Sequence, residues 1–198
     1  MTASKRWAKR PVKRVGKTYE INHEAFTVGL HIFCDGACEP NPGPGGWGVV
    51  TYRDGVELSS LSGGEPDTTN NRMELTSLLA ALGVASGLDE PCVIWCDSQY
   101  AVTGANEWSI AWKRNGWQRG GPNADPKNRV LLNAEIWRAI DAAKGTAPMA
   151  KIKWCKGHAG IAGNERADEL STQGLSEALG VGESGDYLTD QYRMMFAE

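Results

Sequence analysis

Apolar residues in this chain come in short blocks separated by glycine- and proline-rich stretches, and the spacing inside the blocks changes along the sequence. Residues 30–38 hold Leu30, Ile32, Phe33 and Cys34 in an apolar run that delivers Asp35 to a glycine, the pattern of a buried strand. Residues 47–53 and 56–62 read as two further strands joined by Asp54-Gly55, a pair that tolerates the positive φ of a tight hairpin. Met73, Leu75, Leu78, Leu79 and Leu82 then recur at helical spacing, so a helix is expected from Asn70 or Asn71 to near Gly83 or Gly87. A fourth strand is expected at 92–96, after Pro91. Two short helices follow Ser98, the second carrying Trp108, Ile110 and Trp112. Val130, Leu131, Ala134, Ile136, Trp137 and Ile140 predict a helix over 129–143. A fifth strand is expected at 149–155 and a last helix at 164–173. Residues 39–46, 63–69 and 115–128 read as turn-rich loops, and 156–163 as a flexible glycine-rich loop. This order of elements implies an α/β layer fold. Residues 18–28 lead into the first strand, and beyond 176 one more helix at 187–196 is the sole suggestion.

Composition narrows the class. The chain has 198 residues, 41% of them hydrophobic and 23% charged, enough for one domain with a real core and appendages. No run of eighteen apolar residues occurs, so no transmembrane helix is expected, and no apolar segment follows the N-terminal basic residues to make a secretory signal. Cysteines 34, 38, 92, 96 and 155 form no Cys-x-x-Cys pair, and Cys34, Cys96 and Cys155 sit in strand-like apolar runs. They read as buried thiols of a reducing compartment rather than a zinc site, so a cytoplasmic location is expected.

The net charge of −3 hides an asymmetry. Residues 1–17 carry seven basic residues and no acid, leaving the remainder at −10. A basic arm on an acidic domain can hold a nucleic-acid backbone; an organellar targeting peptide or a merely solvated tail are the alternatives.

The candidate chemistry lies in four acids at element junctions. Asp35 and Asp97 close strand-like runs, at the strand ends where open α/β sheets place ligands. Glu74 falls in the first turns of a helix, and Asp168 one turn into another. Singly, Asp97 can be a helix cap and Glu74 a complement to a helix dipole. Converging, the four make an all-oxygen site for hard divalent cations, which points to a metal-dependent nuclease. Gly43-x-Gly45-x-x-Gly48 formally matches a dinucleotide fingerprint, but a strand rather than a helix follows it, so turn chemistry explains the glycines. His158 sits between Gly157 and Gly160 in a loop, where simple solvation is the ordinary reading. Of Trp108, Trp112 and Trp117, at least one is expected in the core; Lys113-Arg114 beside Trp112 also fits an aromatic and basic nucleic-acid surface.

Five segments together resemble type I ribonuclease H. They are Asp35-Gly36-Ala37-Cys38 with Asn41-Pro42-Gly43-Pro44-Gly45-Gly46-Trp47-Gly48; Thr69-Asn70-Asn71-Arg72-Met73-Glu74-Leu75; Asp97-Ser98-Gln99-Tyr100; the stretch 108–117; and Lys156-Gly157-His158-Ala159-Gly160 with Asn164-Glu165-Arg166-Ala167-Asp168-Glu169-Leu170. The resemblance implies a ribonuclease H-like five-stranded mixed sheet, second strand antiparallel, flanked by helices. It divides the chain into a basic arm at 1–28, expected to be flexible, a catalytic domain at 29–175, and a C-terminal extension at 176–198.

The activity it implies is endonucleolytic hydrolysis of the RNA strand of an RNA–DNA hybrid, leaving 5′-phosphate and 3′-hydroxyl ends. It further implies two Mg²⁺ ions (or Mn²⁺) about 3.5–4 Å apart. By likeness, Asp35 bridges both ions, Asp168 holds the one that activates water, and Glu74 and Asp97 hold the one at the leaving oxygen. His158 assists proton transfer or product release. Backbone around Cys38, with Asn41 and Gln99, would meet the 2′-hydroxyls that mark RNA, and Asn70 and Asn71 would also bind substrate. Thr69 and Asn133 would grip a DNA phosphate. Tyr100, Trp108 and Trp112 would line the DNA channel, with Lys113 and Arg114 beside it. No membrane partner is implied, and a monomer is expected. The departure lies in 113–128, whose only positives are Lys113, Arg114, Arg119 and Lys127, weakly basic beside the handle of well-known bacterial members. The rivals are a DNA-cutting nuclease of the Holliday-junction or integrase kind on the same fold, and a non-catalytic hybrid-binding domain.

Overall fold

A computed structural model of the chain describes residues 23–120 and 124–180. The basic run at 1–17, the Gly121-Pro122 turn and the 187–196 helix lie outside the described residues. Five strands form one mixed sheet in the order β3-β2-β1-β4-β5: β1 (Leu30–Cys38), β2 (Gly43–Arg53), β3 (Val56–Thr68), β4 (Cys92–Cys96) and β5 (Ala150–Trp154). β2 runs antiparallel to both β1 and β3, while β1, β4 and β5 are parallel. The helices are α1 (Asn70–Ser86), α2 (Gln99–Thr103), α3 (Ser109–Arg114), α4 (Ala134–Thr146) and α5 (Ala162–Ala178).

Alternation along β1 decides what each face of the sheet receives. Ile32 and Cys34 point into the main core with Met73, Leu75 and Leu78 of α1. Phe33 points the other way, onto Ala167 and Leu170 of α5. Asp35 keeps the parity of Phe33 and Gly36 that of Cys34, so the carboxylate leaves on the α5 side and a glycine faces α1. α1 is buried on nearly every side, because it lies between the sheet and α4. Its first turn is capped by Thr69, whose Oγ1 accepts the Arg72 N–H at 3.3 Å. α5 buries Gly163, Asn164, Ala167, Leu170, Ser171 and Gly174, the one-sided stripe of a helix lying on a sheet.

Several boundaries differ from expectation, each for a packing reason. β2 begins at Gly43 and β3 runs on to Thr68, so most of the glycines read as turn punctuation are strand residues. A Cβ on Gly46 would land on the Ser171 carbonyl and Leu175 N–H of α5, and one on Gly48 would lie 2.5 Å from the Ala167 carbonyl. These glycines let a helix backbone rest directly on the sheet. α4 starts at Ala134 because Asn133 takes the left-handed conformation (φ 56°). Just before it Val130 and Leu132 are exposed and Leu131 buried, a period of two rather than of a helix. The two helices after Ser98 are one rod with a π-turn at Gly104–Trp108, where Gly104 has no room for a side chain beside the Trp137 ring. Among the described residues Trp137 is the fully buried tryptophan; Trp112 and Trp117 pack half-buried against the core, and Trp108 remains 40% exposed. A 3-10 turn at His23–Phe26 precedes β1, and the Phe26 ring lies 4.6 Å from that of Trp95. All five cysteines are buried free thiols. Among the described residues no helix is long and apolar enough to cross a membrane.

Candidate active site

β1 and β4 are neighbours whose connections leave in opposite directions, the switch point at which open α/β sheets form a crevice. Their register ends on the pair Cys34 and Cys96, so Asp35 and Asp97 each follow directly after it. Gly36 permits the third acid to join them. A Cβ there would sit on the backbone carbonyl carbon of Met73 and the amide of Glu74, so α1 can press against β1 only where the side chain is a hydrogen. Asp168 arrives from α5, next to the buried Ala167.

Electrostatics describe the same convergence. Asp35 is buried, and its carboxyl is pushed up to about 8, first by burial, then by the charges of Asp97, Glu74 and Asp168. Glu74 is also pushed up to about 8, by burial and then by Asp97, with hydrogen bonds from Ser98 and Asn70 opposing the shift. The Asn70 Nδ2 donates to Glu74 Oε1 at 3.3 Å, whereas Oε2 is sealed from solvent and takes no hydrogen bond. A buried carboxylate oxygen without a donor is costly, and a divalent cation is the partner this oxygen-rich crevice suits. The acids therefore fit a metal site.

Side chains around the acids hold them in place. The Trp154 indole donates to the Asp97 carbonyl at 2.9 Å, and the Cys155 N–H donates to the Cys96 carbonyl at 3.1 Å. Gly157 lies against the Asp97 carboxylate, closer than any side chain would allow. The next residue, His158, has φ 49°, and its Nδ1 is 3.7 Å from Asp168 Oδ2 with 77% of the side chain exposed. Glu165 fixes this loop by accepting the Gly160 N–H at 3.0 Å.

The expected substrate residues fall into three groups. Asn41 Oδ1 accepts the Asn70 N–H at 3.2 Å, which ties the β1–β2 connection to the start of α1. Cys38 is nearby but turned inward, its Sγ within 3.5 Å of the carbonyls of Pro40, Gly43 and Thr68. Gln99 is exposed at the first turn of α2, behind the Ser98 cap. Thr69 and Asn133 sit at the N-termini of α1 and α4, which Arg72 ties together through Glu135 at 2.5 Å while also meeting Glu65 at 3.1 Å. Asn71, Tyr100, Trp108 and Trp112 border one groove with Arg119 and Leu132. There the Trp108 and Trp112 rings are 5.7 Å apart and Tyr100 is 6.1 Å from Trp108. Arg114 is exposed, but Lys113 is engaged by Asp141 of α4 at 2.6 Å.

Three features escaped the sequence reading. Cys96 reads in sequence as a plain hydrophobe, yet its Sγ lies with carboxylate oxygens of Glu74 and Asp97 inside a 4.8 Å cluster. Strand parity could have found it, since a cysteine facing α1 one residue before Asp97 must face the helix that carries Glu74. Hydrogen bonding to Cys34 and burial hold its thiol well above the usual range. Asn164 is 2% exposed and its Oδ1 lies 3.2 Å from Cys155 Sγ, a contact no spacing rule reveals. Arg72 as a clamp between two helices depended on tertiary structure alone.

A family model for RNase H matches residues 28–176. The chain is 49% identical over 148 residues to the ribonuclease H of Rhizobium johnstonii, covering 74% of this chain and 91% of that protein. Among solved structures, the PFV RNase H domain aligns with a TM-score of 0.63 at 25% identity, over 75% of this chain and 94% of that one. LC11-RNase H1, solved in complex with an RNA/DNA hybrid, aligns with a TM-score of 0.53 at 25% identity, over 76% of this chain and 99% of that one. A mixed five-stranded sheet with acids gathered at its switch point is the framework of a nuclease of this fold. The chain belongs to the ribonuclease H family, and it is a nuclease of that kind.

The raised acids make a prediction for the metal-free protein. The folded state keeps protons on Asp35 and Glu74 up to near pH 8, while the unfolded chain releases them near the ordinary 3.8 and 4.5. Between those limits the native state binds more protons, so stability is highest at the acid end and falls as pH rises, by up to about 1.4 kcal/mol per pH unit per proton. A cation bound to the folded state alone opposes the loss. In the presence of a chelator, Tm should decline from pH 5.5 to 8.5, and saturating Mg²⁺ should raise Tm far more at pH 8.5. A chelated protein whose Tm climbs over that interval would contradict the assignment.

Proposed function

We propose that the enzyme hydrolyses the RNA strand of RNA–DNA hybrids endonucleolytically, with two Mg²⁺ ions (Mn²⁺ substituting), leaving 5′-phosphate and 3′-hydroxyl ends. The observation that carries this reading is the emergence of Asp35 and Asp97 directly after the paired Cys34 and Cys96, joined by Glu74 through the Gly36 contact, with one enclosed oxygen lacking a donor. The family match and the hybrid bound to the relative LC11-RNase H1 support the choice of substrate.

Asp35, between the other acids, would bridge the two ions. Asp168 would hold one with it, and Glu74 and Asp97 the other. When bound, the ions supply Lewis-acid stabilisation of the phosphate charge and ease ionisation of water. His158, exposed beside Asp168, moves a proton at its imidazole nitrogen between the reacting oxygens and solvent. Asn41, Asn70, Gln99 and the backbone around Cys38 read the 2′-hydroxyls. Thr69 and Asn133, at two helix N-termini clamped by Arg72, hold a phosphate of the DNA strand. Tyr100, Trp108 and Trp112 pack against its deoxyriboses, with Asn71, Arg114 and, less freely, Lys113 at the margin.

The test uses a hybrid labelled on either strand beside duplex DNA, duplex RNA and single strands. Mg²⁺-dependent cutting of the RNA strand alone, with products that a 5′-phosphate-requiring exonuclease degrades, is the expected result. Cleavage of duplex DNA at a similar rate would move the chain to the DNA-cutting branch of the fold. The arm belongs to the same proposal: deleting residues 2–17 should weaken hybrid binding and reduce the slope of log K against log salt, since up to seven positives are lost. Parallel slopes for full-length and truncated protein would refute a role in backbone binding.

A further inference from the structure

We propose that the metal site is also a trap for thiophilic cations, with Cys96 as a soft ligand beside Glu74 and Asp97. The inference rests on reading these acids as metal ligands and adds a donor of a different kind. One Cys96 Sγ and one oxygen from each carboxylate lie within 4.8 Å of one another. Ligation by Zn²⁺, with about 2.3 Å to sulfur and about 2.0–2.2 Å to oxygen, needs only a modest contraction of that triangle. Parity along β4 sends Cys96 to the α1 face with Ile94, so the sulfur approaches Glu74 from beneath while Asp97 turns out at the strand end. A second, independent observation points to a ligand at this place: Glu74 Oε2 is enclosed and has no hydrogen-bond partner. Two other cysteines lie near: Cys34, whose thiol meets that of Cys96 on the core side, and Cys155, which is engaged with Asn164.

The two kinds of cation treat this triangle differently. Mg²⁺ is hard, prefers oxygen and leaves a protonated thiol as a bystander. Zn²⁺ or Cd²⁺ exchanges the thiol proton for a metal–sulfur bond: the proton goes to buffer, the sulfur keeps its electron pair as donor, and no redox change occurs. A thiophilic ion held by Glu74, Cys96 and Asp97 withdraws two of the four acids from Mg²⁺. Such ions therefore act as tight competitive inhibitors with respect to Mg²⁺.

The experiment titrates the full chain, without Mg²⁺, with Cd²⁺ and follows the sulfur-to-cadmium charge-transfer absorption in the ultraviolet. One equivalent should produce the band in the wild type, in Cys34→Ala and in Cys155→Ala. It should be absent, with Cd²⁺ bound at least about tenfold more weakly by calorimetry, in Cys96→Ala and in the better-filling Cys96→Thr. Excess Mg²⁺ should reduce the band, and Glu74→Gln should weaken it. Persistence of the band in a folded Cys96 variant, its loss in a folded Cys34→Ala or Cys155→Ala, or no band in the wild type overturns the proposal. The readout does not depend on turnover, so failure to cut the hybrid would overturn the function and leave this result standing.

Discussion

Asp35→Asn should abolish hybrid cleavage, by a factor of about 10³ or more, while making the metal-free protein more stable at pH 8. Both effects come from the same carboxylate. Asp35 is the acid whose pKa is raised by all three others, the central position in the cluster. Removing its charge should cost several kcal/mol of transition-state stabilisation by the bound ions, and each 1.4 kcal/mol or so is tenfold in rate. Without metal, however, that charge is a burden: it is buried, repelled from three directions, and offset only by the Gly36 N–H. Asparagine fits the same space without it. A gain of about 1–2 kcal/mol at pH 8 corresponds to a rise of roughly 3–6 °C in Tm for a domain of this size. Kinetics and thermal melts on one preparation check both halves. Activity within tenfold of wild type, or a folded variant that melts lower at pH 8 in chelator, would contradict the assignment.

Gly36→Ala should damage the enzyme nearly as severely, through position rather than charge. The added methyl would meet backbone atoms of Met73 and Glu74, which cannot swing aside as a flexible side chain does. Overpacking of this kind typically costs about 1–3 kcal/mol, and here it separates α1 from β1 where Glu74 must reach Asp97. A displacement of about 1 Å at a catalytic group can cost about 10²-fold, so kcat should fall at least that far even where the variant is folded. Gly145→Ala is the matched control. It lies in α4 with no atom within 4 Å of the added Cβ, and should leave activity unchanged while stabilising by about 0.5–1 kcal/mol. Near-normal turnover by Gly36→Ala would mean that the close approach of α1 does not position Glu74.

These two residues also mark where the sequence was readable. β1 and β4 were legible almost to the residue, because a continuous apolar run closed by an acid is the signature of a buried strand with a functional end. Asp35 and Asp97 stood out on the same ground, Glu74 and Asp168 by their place in the early turns of helices. The glycines did not. At 43–46 and 63–64 they read as turns, whereas their hydrogens make room for α5 and a long β2–β3 ladder, a demand set by tertiary contact. The start of α4 is not legible, because the spacing of 129–133 suits a helix until Asn133 adopts a left-handed φ. Cys96 is hidden for a related reason: burial makes it a hydrophobe in sequence, and strand parity makes it a neighbour of two carboxylates only once α1 is placed on that face.

The central claim is that carboxylates scattered over more than 130 residues of chain hold two divalent ions on an RNA–DNA hybrid. Mn²⁺ titration of the full chain bound to a hybrid with a non-hydrolysable RNA strand, followed by electron paramagnetic resonance, addresses it most directly. The account predicts two Mn²⁺ per chain with the broadened signal of a spin-coupled pair, reduced to uncoupled or weak binding in Asp35→Asn. Two isolated, uncoupled ions in the wild type, or a coupled pair that survives the loss of Asp35, would contradict it.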